Sequence, residues 1–239
     1  MNKSLYRFVA RGLDVMVWGG ELTGDEFLPE RGPAVFVSNH LGALGPIAVG
    51  ASVPFYLHSW VIADMLDEAL APDYLNKDFV EPQLHVPPPF SRHLARALTK
   101  VSIPLLRSIG GIPVHHATEG LLETYRITVD VLEAGDFVLI FPEDPAQPPD
   151  PLTKMTPFKK GFARLGELYF ERTRRVLGFY PLAVHARSRT VRVGQPVQFN
   201  PNTNPVGERV RIKRVLESSI RGMLLEAELG GALKQPLVN

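Results

Sequence analysis

The chain contains no cysteine in its 239 residues. Disulfides, thiol nucleophiles and thiolate-held metals are therefore excluded. It also lacks an excess of either charge: 26 Lys and Arg stand against 25 Asp and Glu, a formal net charge of +1. That balance argues against a nucleic-acid binder working by bulk charge. No glycine-rich phosphate loop and no Gly-x-Ser-x-Gly elbow occurs, so nucleoside triphosphatases and common serine hydrolases find no support. Residues 1–18 carry Lys3, Arg7, Arg11 and Asp14 without a long apolar core, and no secretory signal is expected there. One charge-free segment, Leu41 to Ala63, reaches the length of a membrane span, about 20 residues. Gly42, Gly45, Gly50, Pro46 and Pro54 would break such a helix in lipid, so the segment reads as a buried loop and helix beside a site.

Hydrophobic residues make up 45% of the chain and charged residues 21%, the composition of a globular protein with a large core. Length and composition predict a single domain over 1–239. Residues 4–18 place Leu5, Phe8, Val9, Leu13 and Met16 on one helical face, suited to the core or to a membrane surface. The amphipathic N-terminal segment thus covers about 1–20. Ala34–Val37 reads as a short buried strand between Gly32-Pro33 and a Ser-Asn-His turn. A helix-rich region is predicted over about 46–108, interrupted by a loop with Pro82, Pro87, Pro88 and Pro89, and ending in a helix over Ser91–Ser108. Ile112–Val114 and Phe137–Phe141 read as strands and 119–134 as a helix closed by Gly135. A helix follows over FKKGFARLGELYFER, then strands within 175–186 and TVRVGQPVQF, and a last helix over 206–229. Strands alternate with helices, which predicts an α/β domain with a mixed, largely parallel sheet flanked by helices.

His40 sits where the apolar run 34–37 gives way to a glycine-bearing loop. A neutral imidazole there suits a general base near pH 7, given a carboxylate to hold its other ring nitrogen. The next acid in the chain is Asp64. The adjacent His115 and His116 would point to opposite faces of a strand, and their spacing from His85 and His93 supports no metal site. His58 and His185 read as structural polar residues.

Four stretches carry a family likeness when taken in order. They are VSNHLGALGP at 37–46, IGGIPVHH at 109–116, FPEDP at 141–145 followed by PFKKGFARLG, and YPLAV with a later VRVGQPV. Together they resemble the glycerolipid acyltransferases, the family of lysophosphatidic acid and glycerol-3-phosphate acyltransferases, over about 30–200. The resemblance implies an α/β protein peripheral to the cytoplasmic (inner) face of the membrane. It implies acyl transfer to a hydroxyl acceptor, such as a lysolipid, from acyl-CoA or acyl carrier protein as co-substrate, with no further cofactor. It assigns His40 as base and Glu143 beside the acceptor. Asn39, His116, Phe141, Pro142, Lys159, Lys160 and Gly161 would contribute to substrate binding.

Three positions depart from the family pattern. The aspartate that follows the histidine in the family is Gly45 here, which removes the ring's orienting carboxylate. Losing such a group from a hydrolase triad costs about 10⁴ in rate. The family arginine that grips a phosphate is His116, a conditional charge without a bidentate fork. The Gly-Thr after the glutamate is Asp144-Pro145, an acid and a residue without an N–H. These changes point to an acceptor without a phosphate, or to a non-catalytic lipid- or partner-binding relative. Asp144 either takes the vacant carboxylate role or serves the loop as a turn cap; Asp64 is a weaker substitute. Seven cations against two acids over 154–175 form a basic stripe that could meet anionic headgroups, coenzyme phosphates or only solvent.

Overall fold

The computed structural model describes Gly12 and residues 18–81, 84–115 and 118–233. The helix expected over 4–18 therefore lies outside the described residues, save Gly12 and Trp18; Trp18 is buried. In chain order the elements are β1 (Glu21–Thr23), β2 (Ala34–Ser38), α1 (Leu44–Ser52), β3 (Leu57–Ile62), α2 (Ala71–Leu75) and α3 (Phe90–Ser108). β4 (Ile112–Val114), α4 (Thr118–Glu133), β5 (Phe137–Ile140) and α5 (Arg164–Thr173) follow. β6 (Gly178–His185), β7 (Thr190–Val193), β8 (Val197–Gln198) and α6 (Pro205–Leu233) complete the chain.

Apolar runs with no room for a solvated face become central strands. β2 is buried at all five positions, as a parallel strand covered on both faces must be. It pairs in parallel with β5 on one side and β6 on the other. The eight-stranded sheet runs β1-β7-β6-β2-β5-β3-β4, with β8 also on β6. β7 and β8 lie antiparallel to β6, and the remaining pairs are parallel. The chain thus forms one α/β domain with a mixed, mostly parallel sheet, as the alternation of elements predicts.

Side chains alternate across the sheet and build two cores. Val35, Val37, Val138 and Ile140 pack with Leu165, Tyr169, Leu216 and Ile220 on one face. Phe36, Leu139 and Leu182 pack with Val49 and Val53 of the α1 region on the other. Phe36 lies between Phe55, Phe137 and Tyr180, at ring-centroid distances of 5.5 to 6.0 Å. Truncating such a ring to alanine costs about 3–5 kcal/mol.

The structure corrects the sequence reading in three places. The region 46–108 is not all helix and loop, because β3 crosses it and pairs with β5 and β4. Its alternation is hidden by His58 and Ser59, which replace apolar residues in the pattern. A short β1 adds an edge beside β7. The helix expected over FKKGFARLGELYFER starts only at Arg164, after a 3-10 turn at Gly161–Ala163. The first residues of that stretch are tied elsewhere: Lys159 N–H donates to Pro142 O at 2.8 Å and Phe158 N–H to Glu217 Oε2 at 3.0 Å. Among the described residues no helix is long and apolar enough to cross a membrane.

Candidate active site

Val37 lies in register beside Ile140 of β5 and Pro181 of β6. Residues 39–40 and 141–143 therefore leave the sheet together, at its carboxyl edge. Open α/β sheets bind ligands at that edge.

Asn39 fixes the exit of β2. It is buried, its Nδ2 donates to Val184 O at 3.0 Å, and its Oδ1 accepts from Val184 N–H at 2.8 Å. The side chain thus satisfies one residue of β6 completely, and aims the following loop. Glu143 fixes the loop from the other side. Its Oε1 accepts from His40 N–H at 2.6 Å. Its Oε2 accepts from Thr156 N–H at 2.7 Å and Thr156 Oγ1 at 3.0 Å. A charged acceptor makes these bonds stronger than neutral ones. The 144–157 loop is closed at its base by Asp144 N–H to Pro157 O, and by the bridge between Glu143 and Phe158.

His40 keeps an exposed edge while its ring lies edge-on to Phe141, 5.3 Å between centroids. Burial of the ring lowers its pKa below the usual 6.5, and the Glu143 carboxylate acts in the opposite direction. The ring is therefore neutral at pH 7. Its Nδ1 accepts from Gly42 N–H at 3.1 Å. Gly42 has φ 55, the left-handed region where a side chain is strained, and this conformation turns its N–H toward the ring. A nitrogen that accepts a hydrogen bond carries no proton, so the neutral ring holds its proton on Nε2. The site as it stands presents a donor at Nε2, not a lone pair.

The expected site residues divide accordingly. Asn39, His40, Phe141, Pro142 and Glu143 come together. Asp144 stands beside them, but its Oδ1 accepts from Ala146 N–H at 3.2 Å and lies 3.4 Å from Lys159 Nζ. No carboxylate contacts the His40 ring among the described residues. Asp64 lies on a 3-10 turn after β3 and is not drawn to the histidine. Lys160 is exposed, and Gly161 O accepts from Tyr125 Oη at 2.9 Å. His116 lies outside the described residues. His58 binds Gly110 O at 3.0 Å through Nδ1. His185 joins Ser188 to Glu228 of α6, at 2.7 and 3.0 Å. Thr156 and the Gly42 N–H were not singled out from sequence, because a lone threonine and a backbone amide carry no pattern.

Gly45, where the resemblance leads one to expect an aspartate, is a buried residue of α1. A Cβ there would lie 3.5 Å from Phe141, 3.6 Å from Asn39 O and 3.9 Å from the His40 Cα, all ordinary contacts. Position 45 therefore has room for a Cβ.

The fold is that of an α/β domain with its candidate site at the carboxyl edge of β2 and β5. Among solved structures it is similar to the 1-acyl-sn-glycerophosphate (LPA) acyltransferase PlsC from Thermotoga maritima. The TM-score is 0.55 over 93% of this chain and 83% of that one, at 11% identity. At that identity the likeness is one of fold. No family model and no curated protein matches the sequence.

Proposed function

We propose that the protein transfers an acyl chain from a thioester of coenzyme A or acyl carrier protein to a hydroxyl acceptor of glycerolipid metabolism. The observation that supports this reading is the joining of His40 to Glu143 by a 2.6 Å hydrogen bond at the carboxyl edge of the sheet. In the reaction the acceptor oxygen attacks the thioester carbonyl as its proton passes to His40. The carbon–sulfur bond then breaks, and the imidazolium returns the proton to the leaving thiolate. Glu143 acts as a positioning residue, since its three bonds go to His40 N–H and Thr156.

His40 must expose its lone pair at Nε2 to act as base. The ring then carries its proton on Nδ1 and turns from Gly42 N–H, a rearrangement that substrate binding has to drive. The acceptor favoured is one without a phosphate, because Asp144 already faces Lys159 and places a like charge beside any phosphate. The work is done at the inner face of the membrane as a peripheral protein.

A second reading is supported by the Gly42–His40 bond: a non-catalytic protein of the same fold that binds lipid or a partner. An acyl-transfer assay separates the two. Wild type and His40→Ala would be given acyl-CoA and acyl carrier protein thioesters with lysolipids, glycerol phosphate and neutral alcohols. A product that disappears in the variant supports the enzyme. No product from any pair, with lipid binding retained, supports the second reading.

A further inference from the structure

α3 contains no acidic residue in nineteen positions, yet carries Arg92, Arg96, Lys100 and Arg107. Its buried stripe is narrow and made mostly of small side chains: Ser91, Ala95, Thr99 and Ile103. That stripe packs on α2 and the turns beside it. The helix leads into β4, which ends the sheet, and its side away from the buried stripe is exposed.

The opposite side of α3 has two rows. At about 100° per residue, Phe90, Leu94, Val101 and Leu105 fall along one row. Phe90 and Val101 are 70% and 69% exposed, unusual for residues that gain so much from burial. His93, Arg96, Lys100 and Arg107 form the second row, with Arg92 at its border. Arg107 pairs with Glu68. Arg92, Arg96 and Lys100 are exposed and have no acidic partner among the described residues. Two exposed small residues, Ala97 and Pro104, separate the rows.

We infer that α3 docks the protein on an anionic phospholipid bilayer. An apolar row beside a cationic row on one face of a surface helix is the pattern that lies in the headgroup plane. The apolar row enters the acyl boundary, and the cations reach the phosphates with their stems along the apolar surface. Charge complementarity selects the partner: three unpaired cations with no acid on the helix fit a uniformly negative plane. The alternative stripe, 154–175, fits less well once folded. Its Lys159 faces Asp144, and its Arg172 is shared by Asp130 and Glu133. This inference supplies the membrane contact of the proposed function but does not depend on turnover.

The test is sedimentation of the full chain with vesicles of phosphatidylcholine alone, and of phosphatidylcholine containing phosphatidylglycerol. Three proteins are compared: wild type, the triple variant Arg92→Gln, Arg96→Gln, Lys100→Gln, and a control carrying Lys154→Gln and Arg175→Gln. All these positions are exposed, so folding is retained and is verified by circular dichroism. Wild type is expected to sediment with the anionic vesicles only, and to be released by high salt. At about fivefold for each cation, the triple variant loses binding by about a hundredfold. The control retains it. A separate Val101→Asp variant also binds more weakly if the apolar row enters the bilayer. Equal binding of wild type and triple variant overturns the assignment to α3, even where acyl transfer is intact. Absence of wild-type binding to anionic vesicles overturns it as well, and would turn attention to an acidic protein partner. Loss of acyl transfer with vesicle binding preserved would count against the proposed reaction alone.

Discussion

Gly42 N–H donates to Nδ1 of His40 at 3.1 Å, from a backbone conformation open to glycine. This contact sets the protonation pattern of the central residue of the site. A carboxylate at Nδ1 would accept a hydrogen bond from Nδ1–H and leave the Nε2 lone pair free to act as base. A backbone amide at Nδ1 does the reverse.

The free protein is therefore expected to show His40 as the Nε2–H tautomer. Nitrogen-15 chemical shifts of the ring, assigned by comparison with His40→Ala, read this directly. An Nδ1–H signal in the absence of ligand would contradict it.

His40 is also expected to titrate below 6.5, because burial of its ring opposes the charged form. Any transfer that needs the neutral ring then persists as the pH falls through 6.5, and its acid limb lies lower. Removing the opposing charge with Glu143→Gln moves that limb further down. An acid limb above 6.5 in the wild type would show that another group governs the rate.

Gly45→Asp is expected to fold and to raise His40-dependent transfer. The Cβ meets only ordinary contacts, and the carboxylate can accept from Nδ1–H once the ring turns. Full restoration of the dyad would be worth up to about 10⁴ in rate, by analogy with a triad that loses its acid. The added charge also shifts the acid limb of the pH profile upward. A folded Gly45→Asp protein with no gain from any donor would show that the lack of a carboxylate at position 45 does not limit transfer.

Asn39→Ala is expected to cost about 3 kcal/mol, because the N–H and C=O of Val184 both lose a buried partner. Asn39→Asp keeps the acceptor for Val184 N–H but sets a buried carboxylate oxygen against Val184 O, and should cost at least as much. Denaturant midpoints of the three proteins give the order.

Asp144→Gly should improve any acceptor that carries a phosphate relative to a neutral one. It releases Lys159 and removes the like charge. The ratio of kcat/KM for glycerol phosphate and for a neutral alcohol is the quantity to follow.

Much of this architecture is legible in the sequence where burial leaves a run of apolar residues. Ala34–Val37 and Phe137–Phe141 announce the two central strands, and the helices near 119–134 and 206–229 follow from their periodicity. β3 escapes notice because His58 and Ser59 interrupt its apolar character. At the candidate site, His40 stands out as a residue type at the end of a strand, and Asn39 and Glu143 through the family resemblance. What they do does not. That Glu143 binds a backbone amide and a threonine, and that Asp144 turns toward Lys159, depends on loop geometry with no periodic trace in sequence. The Gly42 amide belongs to the backbone, which every residue shares.

The loop bearing His40 hangs between two distant moorings. Asn39 is tied to Val184, 145 positions along the chain, and His40 to Glu143, 103 positions along. The first tie needs β2 beside β6, and the second needs β2 beside β5. Closing such long loops costs entropy before the contacts repay it. The surroundings of His40 are therefore set by pairings far apart in the chain, and not by the loop that carries it.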